Sequence, residues 1–242
     1  MSDNLDLLAR KVMMKGYRLL SRIFCSQCRR PQVAWQLESS RALDEVYSFF
    51  DENSADVIAR HARRRPCPPS RAGGPLAYCA TRIGDRFSFA GCGVPYSWIY
   101  LSSGKPFPEA YAVEFEYTPH TVFREFLQIA FSGNDLDNRH RFVIRDNEVL
   151  EYEMFWHGLF ATPVRNVPLS LELHRAATIR LEVVGDIFTF LVNGEAVLTV
   201  RDRMWRPRPT VGKLIFWNHH EPVKMNFELG EVRLFSPAGG MR

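Results

Sequence analysis

The chain has 242 residues, a formal net charge of +4 and a hydrophobic share of 46 %, the make-up of an ordinary globular protein. No uninterrupted apolar run approaches the ~18 residues of a spanning helix. The first residues carry charge throughout, unlike a secretory leader.

The charge is uneven. Residues 1–75 hold 13 Lys/Arg against 8 Asp/Glu, a balance of +5, and the remainder holds 18 against 19, a balance of −1. A near-neutral remainder argues against a nucleic-acid surface, which needs clustered phosphate-neutralising charge. Five cysteines are an odd number and form no disulfide framework, so a reducing cytoplasm is expected.

In chain order, Asp6 to Phe24 predicts an amphipathic helix. Leu8, Val12, Leu19 and Ile23 recur at helical spacing, with Arg10, Lys11, Lys15, Arg18 and Arg22 on other faces. The nearer reading is a helix that packs its apolar stripe on the rest of the protein. The sharper one is a helix that meets a membrane surface or a protein partner. Cys25-Ser-Gln-Cys28 has the spacing of half a zinc site or of a redox pair, but no second close pair follows it.

Ser40 to Arg65 predicts a second helix, with Arg63, Arg64 and Arg65 in its last turn. An alternative keeps residues 33–38 (VAWQLE) as a strand. The Pro- and Gly-rich segment 66–75 then reads as a linker, which divides a helical extension, 1–75, from a β region, 76–242.

The β region predicts about a dozen strands with no helical stretch among them. The most legible part is 177–202, ATIRLEVVGDIFTFLVNGEAVLTVRD, three alternating runs separated by Gly185-Asp186 and Asn193-Gly194. Asn-Gly suits a type I′ turn, which needs positive φ at both positions. Further strands are expected near 76–80, 86–90, 96–102, 110–118, 123–132, 140–146, 148–156, 168–173 and 210–217, and over 222–235 with a break at Gly230. The fold class is therefore all-β, a two-sheet antiparallel jelly-roll sandwich with a helical N-terminal extension.

The order IRLEVVGDIFTFLVNGEAVLTVRD, then VGKLIFWN, then PVKMNFELGEVRLF, resembles the C-terminal part of concanavalin A-like lectin/glucanase domains, in the branch of 3-keto-disaccharide hydrolase-like and laminarin-G-like proteins. The likeness covers 177–236 and extends loosely back to 110. It implies a curved jelly roll whose concave sheet binds glycans or other polyhydroxylated ligands.

Two E-x-E pairs supply candidate chemistry: Glu114/Glu116, and Glu151/Glu153 with His157 on the same strand side. Alternate strand residues stand ~6.5–7 Å apart, a separation at which two carboxyls can flank a glycosidic bond. Either pair is equally compatible with a solvated strand face. The acidic triplet of laminarinase-type glucanases lacks its middle acid here, since Met154, Phe155 and Trp156 follow Glu153.

The candidate catalytic residues are thus Glu151, Glu153 and His157. The candidate ligand-binding residues are Glu114, Glu116, Arg124, Gln128, Arg141, Trp156 and Trp217, with Trp98, Tyr100 and Trp205 as further stacking aromatics. Loop 132–141 offers oxygen ligands that suit calcium or a plain turn. His219-His220-Glu221 suits a metal or nothing. No nucleotide, dinucleotide or zincin motif appears, and no cofactor is called for.

Three readings follow: a module binding a carbohydrate or polar small molecule, an enzyme working on the same face, and a scaffold that docks a protein partner through helix 6–24.

Overall fold

The computed structural model describes residues 2–39, 45–50, 79–83, 86–92, 97–102, 107–122, 127–133, 139–156, 159–204, 213–217 and 224–239. One helix, α1 (Ser2–Phe24), leads into strands β1 (Cys25–Gln27), β2 (Trp35–Ser39) and β3 (Glu45–Phe50). Then come β4 (Cys79–Ile83), β5 (Arg86–Cys92), β6 (Ser97–Ser102), β7 (Ala110–Pro119), β8 (Leu127–Gly133), β9 (Arg139–Arg145) and β10 (Val149–Trp156). The chain continues with β11 (Leu159–Pro168), β12 (Ala177–Val184), β13 (Ile187–Val192), β14 (Glu195–Asp202), β15 (Lys213–Trp217), β16 (Lys224–Leu229) and β17 (Arg233–Pro237).

The strands form two antiparallel sheets. The larger runs β1-β14-β13-β12-β7-β16-β5-β4, with β17 also on β7 and β2 on β17, ten strands in all. The smaller is seven-stranded, β11-β10-β9-β8-β15-β6-β3. The fold is an all-β two-sheet sandwich with an N-terminal helix.

Alternation decides which residues enter the layer between the sheets. From the larger sheet come Tyr111, Val113, Phe115 and Tyr117 of β7, Ile179 and Leu181 of β12, and Phe188 and Phe190 of β13. From the smaller come Phe142 and Ile144 of β9 and Leu150, Tyr152 and Met154 of β10. Burying each such side chain contributes roughly 1.5–3 kcal/mol, which fixes the register, because a slip of one residue would turn a whole strand inside out.

The hairpin signals hold. Asn193 and Gly194 have φ of 50° and 84°, and the backbone N–H of Thr178 donates to Asn193 Oδ1 at 2.9 Å. The break at Gly230 is also present, between β16 and β17. Its N–H donates to Glu116 O at 2.8 Å, and a Cβ there would stand 3.0 Å from Glu116 Cβ.

Four expectations are corrected. Residues 45–50 of the expected second helix are strand β3, paired along its length with β6. The sequence EVYSFF alternates as well as it spirals, and its pairing partner is remote in sequence. The remainder of that expected helix lies outside the described residues.

The boundary at residue 75 does not separate a helical extension from the sandwich, since β1 pairs β14, β2 pairs β17 and β3 pairs β6. The strand expected at 168–173 lies instead at Leu159–Pro168. Its Pro163 and Pro168 are tolerated because β11 is an edge strand, paired with β10 alone among the described strands, with register shifts along the pair.

Finally, α1 does not bury Val12, Leu19 and Ile23. It packs through Met14, Tyr17 and Ser21. Phe160 N donates to Met14 Sδ (3.2 Å) and Arg18 Nε donates to Phe160 O (3.4 Å), so the helix covers the edge of β11.

Candidate functional site

Because Leu150, Tyr152 and Met154 of β10 point into the core, Glu151 and Glu153 lie on the other face of the seven-stranded sheet. Cross-strand register then brings the candidates into line. One row runs Glu151, Val143, Gln128, Trp217, Trp98 and Phe49, across six strands. The next runs Glu153, Arg141, Ala130, Ile215, Tyr100 and Tyr47. One end is ionic and the other aromatic.

The ionic end is not a solvated strand face. Glu151 and Glu153 are only 2 % and 3 % exposed. Glu153 Oε2 accepts from Arg141 Nε at 2.6 Å and also meets Arg141 Nη2, while Oε1 accepts from Thr162 Oγ1 at 3.4 Å. The Arg141 guanidinium lies 4.3 Å from the centre of the Phe155 ring. Burial pulls its pKa down to about 10, against the opposing pull of Glu153.

Glu151 Oε2 is 2.6 Å from Arg145 Nη2, an ion pair whose cation is partly exposed. Burial raises the Glu151 pKa, and Arg145 offsets part of the rise. A carboxyl whose pKa burial raises, two residues from a carboxylate locked to a guanidinium, is a pairing in which the first group holds its proton more tightly than an exposed glutamate while the second charge stays fixed.

The other candidates fall elsewhere. Glu114 and Glu116 lie on β7, on the outward face of the larger sheet. Glu114 is bridged by Arg180 (3.1 Å) and Arg233 (2.7 Å), and Glu116 by Arg86 (2.5 Å). They belong to the larger sheet and do not share a face with Glu151. Trp156 has the parity of Tyr152 and Met154; it stacks on Tyr17 of α1 with ring centres 6.1 Å apart. Arg124, His157, Trp205, residues 134–138 of the calcium-type loop and His219-His220-Glu221 lie outside the described residues.

Sequence reasoning missed a buried polar cluster between the sheets. His140 Nδ1 is 2.5 Å from Tyr152 OH, and that hydroxyl donates to Asp202 Oδ2 at 3.1 Å. Asp202 Oδ1 accepts from Met204 N at 2.8 Å. Cys25 Sγ is 3.7 Å from Met154 Sδ, and burial, with Asp202 next in effect, pushes its thiol pKa well up. Cys25 is therefore an inert buried thiol rather than half of a reactive pair. The available signal was the position of Asp202, at the inward parity of a strand.

No protein-family model matches the chain, and no curated protein matches it. Among solved structures, a sialidase is similar at 12 % identity and a TM-score of 0.50, over 69 % of this chain and 16 % of that one. The carbohydrate-binding module CBM66 from Bacillus subtilis is similar at 11 % identity and a TM-score of 0.43, over 70 % and 96 %. The exoplasmic/lumenal domain of VIP36 is similar at 10 % identity and a TM-score of 0.43, over 69 % and 82 %. The chain thus spans about a sixth of the sialidase it matches. The sialidase likeness is one of fold: a two-sheet β-sandwich.

Proposed function

We propose that this chain is a lectin-like binding module that holds a carbohydrate or a similarly polar small molecule on the outer face of its seven-stranded sheet. The observation that carries the reading is the pair of rows described above. They align Gln128, Trp217 and Trp98 with Glu151 in one row, and Tyr100 and Tyr47 with the Arg141–Glu153 pair in the next. Sugars offer an apolar ring face and a rim of hydroxyls, and aromatic residues in register with polar ones suit the two. The free thiols of Cys25 and Cys28 suit the cytoplasmic setting expected from the cysteine pattern.

The test is a glycan array followed by calorimetric titration of the best ligand. Trp217→Ala weakens binding by about tenfold or more, on the scale of a lost aromatic anchor. Glu116→Gln, on the larger sheet, leaves binding unchanged. Retention of affinity in Trp217→Ala, or its loss in Glu116→Gln, sinks the assignment to this face.

One observation favours a second reading, an acid/base enzyme on the same face: the raised pKa of the buried Glu151, with Glu153 two residues away. In that case Glu151→Gln abolishes turnover of an unactivated glycoside, whose departing oxygen needs that proton, while ligand binding survives. Unaltered turnover removes Glu151 from the chemistry.

A further inference from the structure

Helix α1 has three faces, one of which packs on the sandwich, and Arg18 at the margin of another donates to Phe160 O of β11. Met14, Tyr17 and Ser21, spaced by three and four, form the packed face. Val12, Leu19 and Ile23 form a second face and are 62 %, 61 % and 64 % exposed. Gly16 fills the missing step of their i, i+4, i+7, i+11 repeat. The third face has the same repeat one residue earlier: Lys11, Lys15, Arg18 and Arg22, all exposed.

At about 100° per residue, a one-residue offset makes the two stripes neighbours. An apolar ridge and a cationic ridge therefore run side by side along the helix for ~18 Å. From Arg10 to Phe24 there are five Lys/Arg and no Asp/Glu; the two acids of the helix, Asp3 and Asp6, precede that segment.

The occupant must bury the first ridge and neutralise the second along their whole length. A bilayer interface does both. Its acyl boundary takes aliphatic side chains, and its anionic headgroups lie where Lys and Arg stems reach. Nothing on the ridge selects a discrete partner: the cations are evenly spaced, and no acid fixes a register. No helix among the described residues is long and apolar enough to cross a membrane.

We infer that α1 docks this protein on an anionic lipid surface. The helix lies in the interface plane, with Val12, Leu19 and Ile23 in the acyl boundary and Lys11, Lys15 and Arg22 at the phosphates. This inference is independent of the ligand proposed for the seven-stranded sheet.

The experiment is cosedimentation of the full chain with unilamellar vesicles. One set is phosphatidylcholine alone; the other contains about a third phosphatidylglycerol. At about 0.1 M salt the protein binds the anionic vesicles at least about tenfold more tightly, and about 1 M salt removes most of that preference. K15E/R22E, which reverses two exposed charges, lowers anionic binding by at least about tenfold, since each basic side chain is worth about fivefold. L19Q/I23Q lowers binding to a similar extent.

Circular dichroism of both variants checks that the sandwich is intact. Three results overturn the inference: no binding to anionic vesicles, as a protein partner for the ridge would give; binding that both variants retain; or a wild-type dimer that L19Q/I23Q converts to monomer, which would give this face to a second copy of the chain.

Discussion

At the scale of single residues, the two glutamates of β10 are in different electrostatic situations although they are two positions apart. Glu153 shares a buried ion pair with Arg141, and both partners are more than nine-tenths buried. Removing either would strand the other charge at a cost of about 3–5 kcal/mol, so the pair is a fixed part of the face. Glu151 leans on Arg145, whose side chain is more than a third exposed, and burial outweighs that help. Its folded pKa is raised, so its contribution to stability is complete below the unfolded carboxyl value of about 4.3 and is lost as pH rises through the folded value. Glu151→Gln removes that loss. The variant is expected to be at least as stable as the wild type at pH 7 and to show a flatter stability profile above about pH 4.3, measured by urea unfolding across pH. A variant less stable than the wild type at pH 7 would mean that Arg145 holds the carboxylate more strongly than burial penalises it.

At the scale of elements, what the sequence made legible was what neighbours in the chain decide. The hairpins of 177–202 could be read because the Asn193-Gly194 turn and the two-residue alternation act over a few residues, and the strands pair with their immediate successors. The same locality let Glu151, Glu153, Gln128, Arg141 and Trp217 be read as strand residues, since each occupies an alternating position. It could not tell that Glu114 and Glu116 belong to the opposite sheet, because sheet membership depends on partners far away in the chain: β7 lies between β12 on one side and β16 and β17 on the other. Strand β3 was misread for a related reason. Val46, Tyr47 and Phe50 fit a helical stripe while Tyr47 and Phe49 fit a strand alternation, and only pairing to β6 chooses between them. Strand β11 was hidden by its prolines, which an edge tolerates. The helix was found, but its inward face was not, because Met14 and Tyr17 outrank Val12 and Ile23 only once the exposed Phe160 N–H and C=O of β11 exist for Met14 and Arg18 to meet.

At the scale of the whole molecule, the two sheets are held by an apolar layer with a few polar ties across it. His140 and Tyr152 of the smaller sheet reach Asp202 of the larger one, so this cluster joins the layers by hydrogen bonds as well as by packing. Its phenol belongs to a group of four. Tyr17, Tyr111, Tyr117 and Tyr152 are all buried, and burial pushes each pKa well above the usual phenol value; at Tyr17 and Tyr152, Asp202 adds to the rise. A raised folded pKa means that the native state keeps these protons where the unfolded chain sheds them. Stability is unaffected below pH ~10 and falls above it, by about 1.4 kcal/mol per pH unit for each phenol until its folded pKa is reached. With four such groups and a net stability of about 5–15 kcal/mol, the sandwich is expected to open in one steep alkaline transition a unit or two above pH 10. The measurement is a titration at 295 nm with the far-ultraviolet circular dichroism followed in parallel. These four ionise only as the far-ultraviolet circular dichroism collapses, and Tyr152→Phe, with one fewer latent proton, shifts that step to higher pH relative to its own neutral stability. If all eight tyrosines of the chain ionised smoothly near pH 10 with the β signal intact, the packed layer between the sheets would not exclude water as these side chains require.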